Sequence, residues 1–307
     1  MLTNEQLINL LKANITTSLG GQASAQDVQA FIDLAVDQTA VLQQVRVESG
    51  IVKSLNIDAI DLGDPVMVKA TEATAPDAAD IVTPTIERAT LTPVEVLAAF
   101  NVSFDFMRKN IEGQAVNESL NRIFAKRWGK DTVQVIFNGD TSNSGSTRTD
   151  KLLQCLDGFY VQAAADADVH AVDVAGADYL GTIFPNMLDS MPKDYKDDRT
   201  NLGLFVSPDV AEAYARQIGD RATALGDQVL QNTAFPNFRG IQVLPVFGNS
   251  DTKMVLTPKS NLAVGFGQQM EIGRDVYYRR RVVEVTIYGS LDAKYIVSDA
   301  FVYGRPA

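Results

Sequence analysis

The sequence is poor in the residues that most enzyme sites and disulfide frameworks require. It has one cysteine, one histidine and one tryptophan in 307 residues. Cys155 therefore has no partner for an intramolecular disulfide. A zinc site needs more ligands than one Cys and one His can supply, so we expect no metal and no cofactor.

Two further absences exclude whole classes of protein. Acidic residues outnumber basic ones by 38 to 27, the net charge is -11, and no lysine-rich patch is visible, so a sequence-reading nucleic-acid binder is not indicated. No apolar run reaches the roughly eighteen residues of a membrane span, and residues 1–11 lack the basic and apolar segments of a signal peptide. With 46% hydrophobic residues, the chain is expected to be an ordinary soluble protein with a sizeable core and no membrane contact.

The longest helical pattern lies between Gln114 and Phe137. Apolar residues recur there at i, i+3 and i+4, and polar residues fill the remaining faces. The spacing predicts one helix of about six turns that packs along one side only. Asn138-Gly139 is expected to stop it, with the glycine in a left-handed conformation. The predicted apolar stripe consists of Val116, Leu120, Ile123, Phe124, Trp128 and Val135.

The chain before this helix holds too little apolar surface for a domain of its own. Residues 1–57 predict two short helices and a strand, which we interpret as an arm that lies on something else. Residues 60–91 predict an extended hairpin, strand-like at 66–68, with a soft tip at 70–80. Long segments without a core are usually functional, so we expect a neighbouring molecule to order this one, with fast proteolysis of the tip in free subunits and protection in assemblies.

The second half of the chain alternates helices and strands, as in an α/β layer, and a second domain is expected from about residue 152. A helix from Tyr179 to Met191 should be interrupted by Pro185. Ser207 should cap another helix that follows a buried strand. Residues 163–178 are low in hydrophobicity and predict a loop. Strands are predicted at 202–206, 240–246, 253–257 and 262–266 and in the tail 276–303.

Side chains that could carry chemistry are scattered along the sequence. His170 lies in a polar stretch and no Gly-x-Ser-x-Gly elbow supplies a nucleophile, so we interpret it as a solvated loop histidine. Cys155, between two leucines, is interpreted as a small core residue. Residues 139–146 lack the lysine of a phosphate loop. For four acids without EF-hand order, a solvated loop is favoured over calcium ligation: Asp166, Asp168, Asp173 and Asp178.

Two one-signed patches stand out among the charged residues. The predicted hairpin is acidic toward its tip, whereas the densest basic cluster lies near the C-terminus. If the hairpin of one subunit lies over a neighbour, its acids need basic partners there, on that cluster or on the long helix. The candidate subunit-contact residues are Lys69, Glu72, Asp77, Asp80, Glu87, Arg88, Arg122, Lys126, Arg279, Arg280 and Arg281.

The order of these parts resembles that of the major capsid proteins of tailed bacteriophages with the Hong Kong 97-type fold, most of all the coliphage P-two group. The long helix ends in F-N-G-D at 137–140, and a turn with L-D-G-F follows at 156–159. The resemblance covers nearly the whole chain. It rests on the architecture and on these two signatures together.

The resemblance implies an α+β fold divided into four parts. The C-terminal strands would return to complete both domains. The parts are an N-terminal arm (1–57), an extended loop (58–91), a peripheral domain with the spine helix (92–151, completed by about 259–292) and an axial domain (152–258, completed by about 293–307).

The same resemblance implies a structural, non-enzymatic role. Such proteins assemble as hexamers and pentamers into an icosahedral shell around packaged phage double-stranded DNA, in the cytoplasm of the bacterial host. Implied partners are the chain itself, a portal protein, decoration or cement proteins, and DNA contacted without sequence preference. The arm is too short for a long cleaved scaffolding segment, so a separate scaffolding protein is expected. Lys69 lies where some members cross-link, but no asparagine partner can be matched.

Two other classes stay open at this point. An encapsulin-type nanocompartment shell protein would share the fold, but the first fifty residues do not look like a cargo-binding helix followed directly by the shell domain. A small-molecule enzyme is the second alternative, and the lack of a catalytic constellation argues against it.

Overall fold

The computed structural model describes residues 40–61, 66–69, 77, 81–105, 115–220, 236–267 and 271–306. These residues form two five-stranded sheets and a two-stranded ribbon. The strands are β1 (Arg46–Ile51), β2 (Leu55–Asp61), β3 (Thr85–Leu91), β4 (Val94–Ser103), β5 (His170–Asp173), β6 (Leu202–Val206), β7 (Gln242–Pro245), β8 (Met254–Pro258), β9 (Leu262–Gly267), β10 (Glu271–Tyr277), β11 (Val282–Tyr295) and β12 (Val302–Arg305).

Helices connect and cover the sheets. A π-helical turn (Tyr179–Ile183) leads directly into the helix that carries Pro185, so the predicted interruption is confirmed. A short 3-10 helix (Lys259–Asn261) joins β8 to β9. The α-helices are α1 (Ala115–Asn138), α2 (Arg148–Leu153), α3 (Phe159–Ala165), α4 (Phe184–Ser190), α5 (Lys193–Lys196) and α6 (Pro208–Gly219). Among the described residues, no helix is long and apolar enough to cross a membrane.

The long strand β11 organises the first sheet, which has the order β1-β9-β11-β10 with β4 also paired to β11. Its first half is hydrogen-bonded to β10 on one side and to β4 on the other, both antiparallel. Its last residues pair with β9, which also binds β1 in parallel. β11 therefore runs through the whole sheet.

The second sheet has the order β5-β12-β8-β6-β7, and the residues of its middle strands β8 and β6 are almost all buried. All five residues of β6 are buried, which matches the continuous apolar run predicted at 202–206. α6 follows β6, and the Ser207 hydroxyl accepts a hydrogen bond from the Val210 amide at 3.1 Å, so the predicted cap is confirmed. The strands predicted at 240–246, 253–257 and 262–266 are β7, β8 and β9.

One core joins the two sheets around the end of α1. The Phe137 ring lies edge-on to Phe159 at 5.2 Å between centroids and packs against Phe205 of β6 at 5.4 Å. Val264 and Leu291 of the first sheet belong to the same buried cluster. The C-terminal end of α1 is therefore surrounded by side chains from both sheets.

This enclosure corrects part of the prediction for α1. The helix itself is confirmed, and Trp128 and Val135 are buried. Ile123 is 66% exposed, however, and does not belong to the buried stripe. The last turn is buried all round rather than along one side, because Phe137 and its neighbours sit in the shared core. Val116 and Leu120 lie in the part of α1 whose side chains are not described.

Gly139 ends α1 for a different reason from the one expected. The glycines with positive φ are Gly50, Gly176, Gly240 and Gly248 in the described chain, so the left-handed stop predicted at Gly139 is wrong. A Cβ atom at Gly139 would lie 2.2 Å from the Leu156 carbonyl oxygen. Glycine is needed there because another backbone passes too close for any side chain.

Two local predictions also fail. Residues 66–68 are exposed and have no regular secondary structure, so they are not a strand. The segment 163–178 is not only a loop, because α3 extends to Ala165 and β5 pairs in parallel with β12. Pairing with a distant strand outweighed the low local hydrophobicity. The two predicted N-terminal helices and most of the hairpin tip lie outside the described residues.

Candidate assembly surfaces

The ribbon, β2 with β3, has an inner face that packs on the body. Ile57 and Leu91 point inward and are 6% and 0% exposed, and they form a buried cluster with Ile51 of β1 and Ala263 of β9. A Cβ atom at Gly265 of β9 would lie 2.7 Å from Ile51 and 3.1 Å from Leu91. The base of the ribbon is therefore fixed to the first sheet by close packing.

The outer face of the ribbon changes character as it leaves the body. Its register places Asn56 opposite Thr90, then Asp58 opposite Arg88, then Ile60 opposite Ile86. The Thr90 hydroxyl donates to the Asn56 side-chain oxygen at 2.9 Å. The two isoleucines are 70% and 61% exposed. The outer face thus runs from a polar pair through a charged pair to an exposed apolar pair.

Arg88, predicted to contact a neighbouring subunit, already has a partner in its own ribbon. Its Nε donates to Asp58 Oδ1 at 2.6 Å and its Nη2 to Oδ2 at 3.1 Å. These hydrogen bonds hold the pKa of Asp58 below its usual value and the pKa of Arg88 above its own. Since the two residues lie directly opposite each other, they neutralise this part of the outer face. Asp58 is not among the contact residues predicted from the sequence, although the hairpin register places it opposite Arg88.

Glu87, a second predicted contact residue, faces inward instead. Its carboxylate accepts a hydrogen bond from the Ser298 amide at 3.3 Å, in the segment that joins β11 to β12. Just beyond the ribbon, the Thr92 amide donates to the buried Asp292 carboxylate at 2.6 Å. Burial raises the pKa of Asp292, although the amides of Thr92 and Ala293 act to lower it. Both contacts tie the ribbon to the end of β11.

Asp166 fixes the same segment from the other side. It accepts hydrogen bonds from the Tyr295 hydroxyl at 2.7 Å and the Ser298 hydroxyl at 2.8 Å. Partial burial acts to raise its pKa, but these bonds and one from the Asp168 amide outweigh burial and hold the pKa below its usual value. The ribbon, the end of α3 and the link between the sheets therefore meet at Ser298. Asp166 has a structural role here.

The two sequence signatures lie against each other. The Gly158 amide donates to the Gly139 carbonyl at 2.9 Å. A Cβ atom at Gly158 would lie 2.7 Å from the Gly139 amide nitrogen. Asp157 accepts from both the amide and the hydroxyl of Thr141 at 2.8 Å. Two glycines, one from each signature, thus let the end of α1 and the start of α3 cross backbone to backbone.

A second acid organises the loop between these signatures. Asp150 completes a capping box with Thr147 at the start of α2. Hydrogen bonds from the Thr147 hydroxyl and amide and from the Asn143 side chain hold its pKa below its usual value. Hydrogen bonds among Asn143, Thr147 and Asp150 therefore hold the end of this loop in place.

The arginine turn, residues 278–281, connects β10 to β11 at the end of the first sheet. Arg281 adopts φ 53° and its Nη2 lies 3.4 Å from the Asp105 carboxylate. The Arg280 guanidinium lies 5.9 Å from the centre of the Tyr277 ring. Tyr278 is 72% exposed. The turn is exposed, as a contact surface must be, and one of its cations is paired within the chain.

The other predicted contact residues are spread over the surface. Lys69, Asp77 and Lys126 are exposed. Arg122 lies on α1 where side chains are not described, and Glu72 and Asp80 lie outside the described residues. Pairing between the acidic hairpin and the basic residues of a neighbour stays a prediction.

Groups that could carry chemistry are used for packing and local pairing. His170 is in β5, not in a solvated loop, and its Nε2 lies 2.8 Å from Asp299 Oδ1. Cys155, predicted to be a small core residue, is only half-buried and packs against the shared core, and burial raises the pKa of its thiol. Within the described ranges, no group of three or more His, Cys, Asp or Glu is placed to hold a metal ion.

Known proteins resemble this chain over nearly its full length, although no family model matches it. YqbE of Bacillus subtilis (strain 168), assigned as a prophage capsid protein, is 26% identical over 311 residues, which cover 97% of each chain. A chain of the satellite phage P4 procapsid including size determination (Sid) protein aligns with a TM-score of 0.65 at 11% identity, covering 91% of this chain and 100% of that one. A chain of the capsid of the empty GTA particle aligns with a TM-score of 0.59 at 13% identity, and the alignment covers 100% of both chains.

At 11% and 13% identity, the solved structures establish only a shared fold. The description of YqbE as a prophage capsid protein agrees with that fold. The fold is the α+β, Hong Kong 97-type fold of phage capsid proteins, as the sequence predicted. Nothing in the comparisons favours an encapsulin over a capsid protein. The chain is therefore similar in sequence to a prophage capsid protein and shares the fold of phage capsid chains.

Proposed function

We propose that this chain assembles as hexamers and pentamers into the icosahedral shell that encloses phage double-stranded DNA. The observation that carries the proposal is the fold match to capsid chains over 91% and 100% of the sequence. The outer face of the ribbon supports it, since Ile60 and Ile86 lie opposite each other there and both are exposed. Apolar side chains in such a position are typical of surfaces that a partner covers.

The proposal also divides the chain into four structural parts. Residues 1–57 would form the arm, 58–91 the extended loop, 92–151 with about 259–292 the peripheral domain, and 152–258 with about 293–307 the axial domain. The sheet pairing supports this division, because β4 joins β9, β10 and β11 in one sheet while β12 returns to β5 and β8 in the other. The ribbon pairing begins at Leu55, slightly before the proposed boundary.

The proposed partners follow from the role of a shell. They are further copies of the chain, a portal protein, a separate scaffolding protein, decoration or cement proteins, and packaged DNA, with assembly in the cytoplasm of the host. A size determination protein is named with the satellite phage P4 procapsid, and this supports a separate scaffolding partner here. We also propose that the chain has no enzymatic activity.

Electron microscopy of the expressed full-length chain tests the proposal. Closed shells, alone or with a co-expressed scaffolding protein, are the expected result. A small shell filled with a cargo enzyme would favour the nanocompartment alternative. A discrete oligomer with turnover of a small molecule would contradict the proposal.

The proposed contact between the acidic hairpin and a neighbour has its own test. Glu72→Lys with Asp77→Lys should leave the subunit folded but impair shell formation, because like charges would then meet at the contact. High salt should weaken wild-type assembly, since exposed pairs are screened over about 10 Å at 0.1 M. Circular dichroism and microscopy at low salt measure the two properties. Normal shells from the variant would mean that the hairpin docks through its apolar residues instead.

A further inference from the structure

The solvent-facing side of α1 carries a run of cations. Lys130 lies four residues after Lys126 and three after Arg127, so each of these two shares a face of the helix with Lys130. Lys126 and Arg127 are exposed, and Lys130 is half-buried. Arg148, exposed at the first position of α2, lies close enough for its charge to act on Asp131 of α1. We call these four residues the basic stripe.

The stripe keeps a positive excess despite its acidic neighbour. Asp131 Oδ1 lies 2.8 Å from Arg127 Nη2, one helical turn away. Burial raises the pKa of the Asp131 carboxyl, against the charges of Arg127 and Arg148, which act to lower it. Of the remaining cations, Lys126 and Arg148 are exposed, on a chain whose net charge is -11. The stripe is thus a local exception to the charge of the whole protein.

An aromatic ring holds part of the stripe in place. The Phe247 ring centre lies 5.1 Å from Lys130 Nζ and 5.8 Å from Arg127 Cζ, within the range of cation–π attraction. The loop that carries this ring is fixed to α1, because the Asn138 side chain donates to the Gly248 carbonyl at 3.4 Å. Cations that are positioned in advance lose less conformational freedom when they bind an anion.

We propose that the basic stripe binds the phosphate backbone of double-stranded DNA without reading its sequence. The choice of partner follows from the side chains: two of the four are lysines, which are depleted in protein interfaces but are common phosphate ligands. The inference rests on the proposed function, which brings packaged DNA against the shell. It gives Lys126 a role different from the subunit contact that the sequence suggested.

The test measures DNA binding by the full-length, unassembled chain. Fluorescence anisotropy of a short labelled duplex gives the affinity between about 50 and 200 mM salt. The stripe variant is Lys126→Gln with Arg148→Gln, both exposed positions. The control is Lys53→Gln with Lys193→Gln, which removes the same charge from exposed positions elsewhere.

The salt dependence distinguishes a phosphate contact from a general charge effect. Each cation that neutralises a phosphate contributes about 0.9 to the slope of log affinity against log salt. In the stripe variant, affinity should therefore fall less steeply with salt, with a slope smaller in magnitude by about 1.8. The control should keep the wild-type slope. Circular dichroism confirms that both variants are folded.

Three results would overturn the inference. The first is equal loss in the stripe variant and the control, and the second is no salt-dependent binding by the wild type at about 50 mM salt. The third is unchanged DNA affinity in a stripe variant that no longer forms shells, which would assign the stripe to an acidic surface of a second copy. DNA binding by a wild-type chain that never forms shells would contradict the proposed function but would still support DNA binding by the basic stripe.

Discussion

The second sheet and the ribbon differ in how far their strands are buried within the subunit. In the second sheet, β6 is buried along its whole length between β7 and β8. In the ribbon, Ile57 on the inner face is 6% exposed, whereas Ile60 on the outer face is 70% exposed. An isolated two-stranded ribbon is marginally stable in water, so the inner face must supply its stability. The middle strand of the sheet is buried within one subunit, whereas the outer face of the ribbon leaves two isoleucines exposed there.

The largest effect is expected in the packed body, at the tryptophan of α1. Trp128 is 9% exposed in the core that joins the two sheets, so Trp128→Ala should lower the free energy of unfolding by about 3–5 kcal/mol. Ile123→Ala on the same helix should change it by less than about 0.5 kcal/mol. Urea denaturation of both variants makes the comparison. Equal stabilities would mean that α1 is not packed as described.

A smaller effect is expected at the crossing of the two signatures. Gly158→Ala places a methyl group 2.7 Å from the Gly139 amide, and the backbone must move to admit it. Such overpacking costs about 1–3 kcal/mol. Gly273→Ala in β10 is the matched control, because the nearest atom to its Cβ would be 3.9 Å away. Thermal unfolding of the two variants should therefore differ by several degrees, and identical melting curves would contradict the close approach.

A pH-dependent effect is expected where the body meets the ribbon. Asp166 has a lowered folded pKa, so its hydrogen bonds stabilise the protein above the unfolded value of about 3.9 and are lost as the pH falls through the folded value. Asp166→Asn should therefore lower stability at neutral pH by less than about 1 kcal/mol, since the group is only partly buried and solvent screens it. The difference from wild type should shrink below about pH 4. A difference that grows as the pH falls would have the wrong sign.

The smallest effect on the subunit is expected at the outer face of the ribbon. Ile60→Asn with Ile86→Asn should change the free energy of unfolding by less than about 0.5 kcal/mol for each residue, because both side chains are exposed. The same change should reduce shell formation, which light scattering and microscopy can follow. Ile57→Ala on the inner face should destabilise the free subunit instead. Full assembly by the outer-face variant would show that these isoleucines contact nothing.

Much of the fold could be predicted from the sequence because it is set by local pattern. A few neighbouring residues were enough to predict three features: the helical period of α1, the cap at Ser207 and the buried strand β6. The exposure of Ile123 and the burial of Phe137 could not be predicted in this way. Both residues lie on α1, and the sheets around its end decide which of its side chains are covered. β5 was missed for the same reason, since its partner β12 is more than a hundred residues away.

The candidate surfaces were predictable in outline only. Composition drew attention to the acidic hairpin and to the arginine turn. It could not reveal that Arg88 is paired with Asp58 across the ribbon or that Glu87 binds the Ser298 amide, because both contacts depend on register and on distant residues. The glycines of the signatures were noticed, but their purpose required the backbone crossing to be seen.

The length of β11 has a mechanical consequence. It is 14 residues long, which is roughly 45 Å at about 3.3 Å per residue, and it runs without interruption from the arginine turn to the core. Near its end, the Ala293 carbonyl accepts a hydrogen bond from Gln162 of α3 at 2.8 Å. A pull along this strand would load its hydrogen bonds to β10, β4 and β9 in shear, so that these bonds would resist the pull together. A force applied at the turn is therefore transmitted to the centre of the subunit by a single element, with no loop between them to absorb it.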